Sequence, residues 1–134
     1  MDVLIVEPEK SPRMASISGD LKSLQKVVGG CIEAIYPFDD PVALVCNDEG
    51  KLIGLPLNRH IKDYDIIAGT FFVCGLGQED FCSLSPELAE KYRKIFKDPG
   101  MLMRIGSKIA SFPIKPRNDT TMRKDKPQSK EFNL

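Results

Sequence analysis

Residues 20–36 read Asp20-Leu21-Lys22-Ser23-Leu24-Gln25-Lys26-Val27-Val28-Gly29-Gly30-Cys31-Ile32-Glu33-Ala34-Ile35-Tyr36, and Pro37 follows. Leu21, Leu24, Val27, Val28, Cys31, Ile32 and Ile35 fall at helical spacing along one stripe, the pattern of a helix that buries one face. Asp20 or Ser18 can cap the start, because a side-chain oxygen there accepts the orphan amides of the first turn. Tyr36-Pro37 ends the run, since proline disfavours helical backbone in the residue before it. The expectation is a helix over residues 21–35. Gly29-Gly30 then lies inside that helix, where each glycine costs about 1 kcal/mol relative to alanine. Close approach of bare backbone to the sheet, to a second copy or to a ligand would offset that cost.

Outward from this segment, residues 3–6 form a wholly apolar run ended by Glu7-Pro8, which reads as a strand covered on both faces. Residues 13–17 can return as a half-exposed strand. Residues 42–46 and 51–57 flank the turn Asn47-Asp48-Glu49-Gly50 and read as a β-hairpin. Residues 66–74 read as a strand interrupted by Gly69-Thr70, a bulge or a place of close approach. Ser85-Pro86-Glu87 combines an N-cap, a proline at the first helical position and an acid in the first turn. The helix it starts carries Leu88, Tyr92, Ile95 and Phe96 and closes at Asp98-Pro99-Gly100. Leu102, Ile105 and Ile109 suggest a third, shorter helix over residues 101–110. The fold class expected is α+β: a small mixed or antiparallel sheet with a β-hairpin, packed on one long and one or two shorter helices. One domain should span residues 1–112, with a flexible basic tail over 113–134, where few apolar groups remain to offset ordering entropy.

The chain has 134 residues, 42% of them apolar, with 19 basic against 19 acidic side chains. Residues 115–134 hold six basic and three acidic groups, so the body is mildly acidic beneath a neutral total. That balance argues against a nucleic-acid coat. The first residues lack a signal-peptide pattern, and no run reaches the ~20 apolar residues of a membrane span. A cytoplasmic protein, with no membrane partner, is expected.

Reactive groups are scarce. Cys31, Cys46, Cys74 and Cys82 show no C-x-x-C spacing, and His60 is the only imidazole, so buried reduced thiols and no metal site are expected. No phosphate-binding glycine loop, nucleophile elbow or calcium loop is present. The carboxylate pairs Asp39-Asp40, Asp48-Glu49, Asp63/Asp65 and Glu79-Asp80 fall in loops or strand ends, where solvated turns are the ordinary outcome. The chain is therefore expected to bind without catalysis and without a cofactor. Asn58 and Arg59 follow an apolar run as a short loop held by Pro56, and their side chains suit phosphate or carboxylate. Lys51, Glu33 and the backbone and hydroxyl of Gly69 and Thr70 complete the candidate ligand site.

Four blocks carry a family resemblance: residues 24–36 above, then Cys46-Asn47-Asp48-Glu49-Gly50-Lys51-Leu52, Gly54-Leu55-Pro56-Leu57-Asn58-Arg59, and Ile66-Ile67-Ala68-Gly69-Thr70-Phe71. Over roughly residues 1–96 the chain resembles a small domain-of-unknown-function family common in phages, plasmids and conjugative elements of Gram-positive bacteria. The resemblance implies no activity. It implies an accessory role against host defences. One expectation is a homo-oligomer that sequesters an anionic, cyclic-nucleotide-type signal through Asn58, Arg59 and the amides near Gly69-Thr70. The alternative is an inhibitor of a host defence nuclease or CRISPR effector, in which the acidic loops meet a basic protein surface. A DNA-binding accessory role through the tail ranks third.

Overall fold

The computed structural model describes residues 1–61 and 64–99, together with the backbone of two strands at 101–105 and 108–112. Asp20 caps helix α1 (Leu21–Val28), its carboxylate accepting from the Ser23 amide at 2.8 Å. The helix is half the expected length. Gly29 takes φ 78°, ψ 26°, and its amide and that of Gly30 both bond the Gln25 carbonyl, at 2.8 and 3.1 Å. Glycine enters this left-handed region without steric penalty and so terminates helices. The later members of the supposed stripe belong to strand β3 (Ile32–Ile35). Gly30 meets the need for close packing without a second copy or a ligand: a Cβ there would lie 2.8 Å from Asn47 Nδ2.

The main sheet runs β2 (Arg13–Ser16), β1 (Asp2–Val6), β7 (Phe71–Leu76), β4 (Val42–Asn47), β3, with every neighbour antiparallel and β8 (Phe81–Cys82) paired to β7. A second, two-stranded sheet joins β5 (Leu57–His60) to β6 (Ile66–Ala68). Helix α2 (Pro86–Ile95) starts as expected, with Ser85 Oγ accepting from the Leu88 amide. The antiparallel sheet and two helices make the fold α+β.

Both faces of the sheet are covered, so β1, β4 and β7 are apolar without alternation. On one face Leu24 and Val28 of α1 pack on Val3, Ile5, Val45 and Phe72. On the other, Tyr92 and Phe96 from α2 and its end, with Ile61 and Ile67, cover Leu4, Leu44 and Phe71. Fully burying one such side chain contributes about 1.5–3 kcal/mol.

Two further expectations are corrected. Residues 51–57 do not return along β4, whose hairpin partner is β3. Instead the Ile53 and Leu55 amides bond the Glu49 and Gly50 carbonyls, and the chain turns away from the sheet. Gly50 permits this, because a Cβ there would sit 2.6 Å from the Ala68 carbonyl. Residues 101–110 are not helical but enter two antiparallel strands, β9 (Met101–Ile105) and β10 (Lys108–Phe112). Apolar runs of that length fit either period, and Gly106 falls between the strands. The tail expected over 113–134 lies outside the described residues.

Candidate functional site

Asn58 and Arg59 lie in β5 rather than in an exposed loop, only 1% and 5% exposed. The polar residues here point inward and donate to four main-chain carbonyls, three of them on buried residues. Asn58 Nδ2 donates to the carbonyls of Val6 at 2.8 Å and Gly69 at 2.9 Å. Arg59 Nη2 donates to Lys10 O at 2.6 Å and Phe96 O at 3.0 Å, and Nη1 donates to Asn58 Oδ1 at 2.9 Å. The guanidinium thus ties β5 to the β1–β2 turn and to the end of α2. Burial pulls its pKa down to about 10, with Asp98 acting in the opposite direction. Arg59 remains a cation at neutral pH, with its main donors directed at the chain itself.

The groups that face solvent together lie elsewhere. A cleft of about 280 Å³ opens between the β3–β4 end of the main sheet and β6 of the small one. Glu33 and Ile35 of β3 and Cys46 of β4 form its floor, and the turn after β4 and residues 64–68 form its walls. Asn47 builds the turn: Oδ1 accepts from the Glu49 amide at 2.8 Å, and Nδ2 donates to Val28 O at 3.2 Å. The lining holds four carboxylates, from Glu33, Asp48, Glu49 and Asp65, against the single ammonium of Lys51. Lys51 Nζ lies 2.6 Å from Asp65 Oδ2. That hydrogen bond, then one from the Ile66 amide, holds the Asp65 carboxyl below the ordinary aspartate value. Leu52 and Tyr64 stand on the walls, 84% and 53% exposed.

Cys46 and Cys74 are buried as expected, whereas Cys31 and Cys82 are exposed. Cys46 is the cleft's thiol. Burial first, then the charges of Glu33 and Asp48, push it up to about 11. A thiol at neutral pH is a poor nucleophile. The cleft therefore presents carboxylates and apolar surface beside a protonated thiol.

The residues expected to form one ligand site divide between two places. Glu33 and Lys51 meet at the cleft. Gly69, at φ 85°, sits beside Asn58 in the interior: its amide donates to Pro56 O at 2.7 Å, and a Cβ there would lie 2.7 Å from Leu55 Cδ1. Thr70 is half-buried in the step from β6 to β7. Sequence reasoning assigned Asp48-Glu49 and Asp65 to solvated turns and passed over Tyr64 and Leu52. The available signal was Leu52-Ile53, two large aliphatic residues directly after an acidic turn.

Residues 1–97 match the family described as Domain of unknown function (DUF3846). The chain belongs to that family. The family match takes in the main sheet, both helices and the whole cleft, and stops before β9 and β10. No curated protein and no solved structure matches the chain. Among the described residues, no group of three or more His, Cys, Asp or Glu side chains is placed to hold a metal ion. No helix among them is long and apolar enough to cross a membrane.

Proposed function

We propose that this protein acts by binding rather than catalysis, and that its cleft receives a basic, partly apolar surface of a partner protein. The observation that carries the reading is the composition of the cleft: Glu33, Asp48, Glu49 and Asp65 beside exposed Leu52 and Tyr64, with Lys51 already engaged by Asp65. Carboxylates on a rim steer a cationic partner, and exposed aliphatic and aromatic surface gives it something to bury. The inert Cys46 thiol supports binding over turnover. The setting that the resemblance implies, an accessory protein of a phage or mobile element acting in the host cytoplasm on a defence nuclease or effector, suits such a partner.

This reading ranks above capture of an anionic nucleotide. That idea needs Asn58 and Arg59 facing solvent, whereas both are buried on carbonyls of the chain. An anion approaching the cleft would meet an excess of negative charge. The test is quantitative co-purification from lysate of the source organism, comparing wild type with a Glu33→Lys/Asp48→Lys variant shown by circular dichroism to be folded. A stoichiometric basic partner held by wild type and lost by the variant is expected, with calorimetry silent against cyclic dinucleotides. Tight nucleotide binding with no protein retained would overturn the reading.

A further inference from the structure

One edge of the main sheet borders the cleft, and the geometry points to that edge as the place where the partner's chain docks. We infer that β3 accepts an extended segment with lysine or arginine at alternate positions, added as a further strand. This deepens the proposed function and rests on it.

The free edge follows from register. The Asp48 amide donates to the Cys31 carbonyl at 2.8 Å. Pairing continues Ile32 with Asn47, Glu33 with Cys46, Ala34 with Val45 and Ile35 with Leu44. In an antiparallel pair the bonded residues alternate, so Glu33 and Ile35 turn their main chain to β4. Ile32 and Ala34 turn theirs outward. β3 ends the strand order, and no other strand among the described residues pairs with it. Its outward N–H and C=O groups are a template for strand addition.

The two faces of this edge differ, and that difference specifies the segment. A residue set opposite Glu33 would project over the cleft, where a cation meets Glu33 directly and Asp48 beyond it. Residues set opposite Ile32 and Ala34 would project to the other face, where those half-buried side chains join the apolar cluster under α1. Alternating basic and β-branched residues satisfy both. A second copy fits less well, because two-fold pairing of β3 would bring two acidic clefts together. The opposite edge, β2, holds no carboxylate of its own and offers a basic strand no counter-charge, its Arg13 being paired with Glu7 at 3.2 Å.

The probe is the peptide Lys-Val-Lys-Val-Lys-Val-Lys, with Glu-Val-Glu-Val-Glu-Val-Glu and a valine-N-methylated version as controls. The readout is amide hydrogen exchange at Ile32 and Ala34 by nuclear magnetic resonance. Exchange at both should slow at least tenfold with the lysine peptide and stay unchanged with either control. Glu33→Lys should weaken binding at least tenfold. Ala34→Pro should weaken it at least tenfold while leaving the fold intact, since proline is tolerated where a strand's N–H faces solvent. If the peptide perturbs Asp48 and Lys51 without protecting Ile32 and Ala34, and Ala34→Pro changes nothing, strand addition is wrong while the cleft reading stands. Protection that grows with protein concentration in the absence of peptide would assign the edge to a second copy and overturn the inference. No perturbation anywhere would reject this segment chemistry, leaving the co-purification result to decide the cleft.

Discussion

Replacing Arg59 by methionine keeps most of the side chain's apolar volume and removes its cation and donors. The short bonds lost run to Lys10 O at 2.6 Å, to Phe96 O at 3.0 Å and to Asn58 Oδ1 at 2.9 Å. A hydrogen bond to a charged group is worth about 1.5–3 kcal/mol, and two of the acceptors left behind, Phe96 O and Asn58 Oδ1, are buried. Against this, methionine avoids the several kcal/mol of desolvation that a buried cation carries, a penalty visible in the lowered Arg59 pKa. The balance is a loss of about 3 kcal/mol, or about 10–15 °C in Tm for a domain of this size. Arg59→Lys, which cannot fork between Lys10 O and Phe96 O, should lose about half as much. Urea unfolding followed by far-ultraviolet circular dichroism measures both. A change below about 0.5 kcal/mol, as for a surface residue, would refute the clamp and return Arg59 to the role of an exposed anion ligand.

Other expectations follow from the same packing. Asn58→Leu leaves the Val6 and Gly69 carbonyls without their donor and should cost about 2–4 kcal/mol in urea unfolding. Gly29→Ala forces a side chain into φ 78° and should cost about 1–2 kcal/mol, with Gly29→Asn costing less. Asp40 accepts from Lys91 Nζ and Tyr92 Oη, each at 2.6 Å, and both bonds hold its carboxyl below the ordinary value. A depressed native pKa gives stability that is present above the unfolded value and lost as pH falls through the native one. Asp40→Asn should therefore flatten the acid limb of a stability–pH curve recorded from neutral down to about pH 2.5.

What the sequence disclosed divides along physical lines. Capping residues were legible, because Asp20 and Ser85 act on amides only a few positions away. The apolar runs of β1 and β4 were legible as strands because burial on both faces leaves no alternation, whereas residues 66–74, read as one strand, divide at Gly69-Thr70 into β6 and β7 of separate sheets. The end of α1 was not, since Val27, Val28, Cys31, Ile32 and Ile35 satisfy a helical stripe even though β3 sends Ile32 and Ile35 to opposite faces of the sheet. A glycine pair can be a tolerated defect or a stop, and only the Asn47 contact at Gly30 shows why the chain turns there. Asn58 and Arg59 were misplaced for a similar reason. Polar residues after a proline look exposed until the carbonyls of Val6, Lys10, Gly69 and Phe96, remote in sequence, are brought around them. The cleft was hidden because Glu33, Asp48 and Asp65 come from three separate elements.

The cleft carboxylates and the main-chain groups of the β3 edge imply different kinetic roles in the proposed docking. Glu33 and Asp48 are exposed, so their attraction acts at a distance and is screened over about 8 Å at physiological ionic strength. Main-chain bonds at Ile32 and Ala34 act only on contact and are nearly insensitive to salt. Charge therefore belongs to association and the strand edge to dissociation. With the lysine–valine peptide, added salt should slow association and leave dissociation almost unchanged. Ala34→Pro should do the reverse, speeding dissociation with little effect on the salt dependence of association. Stopped-flow measurement across a salt series separates the two. If salt and Ala34→Pro move the same rate constant, the carboxylates and the edge act as one contact, and the division between them fails.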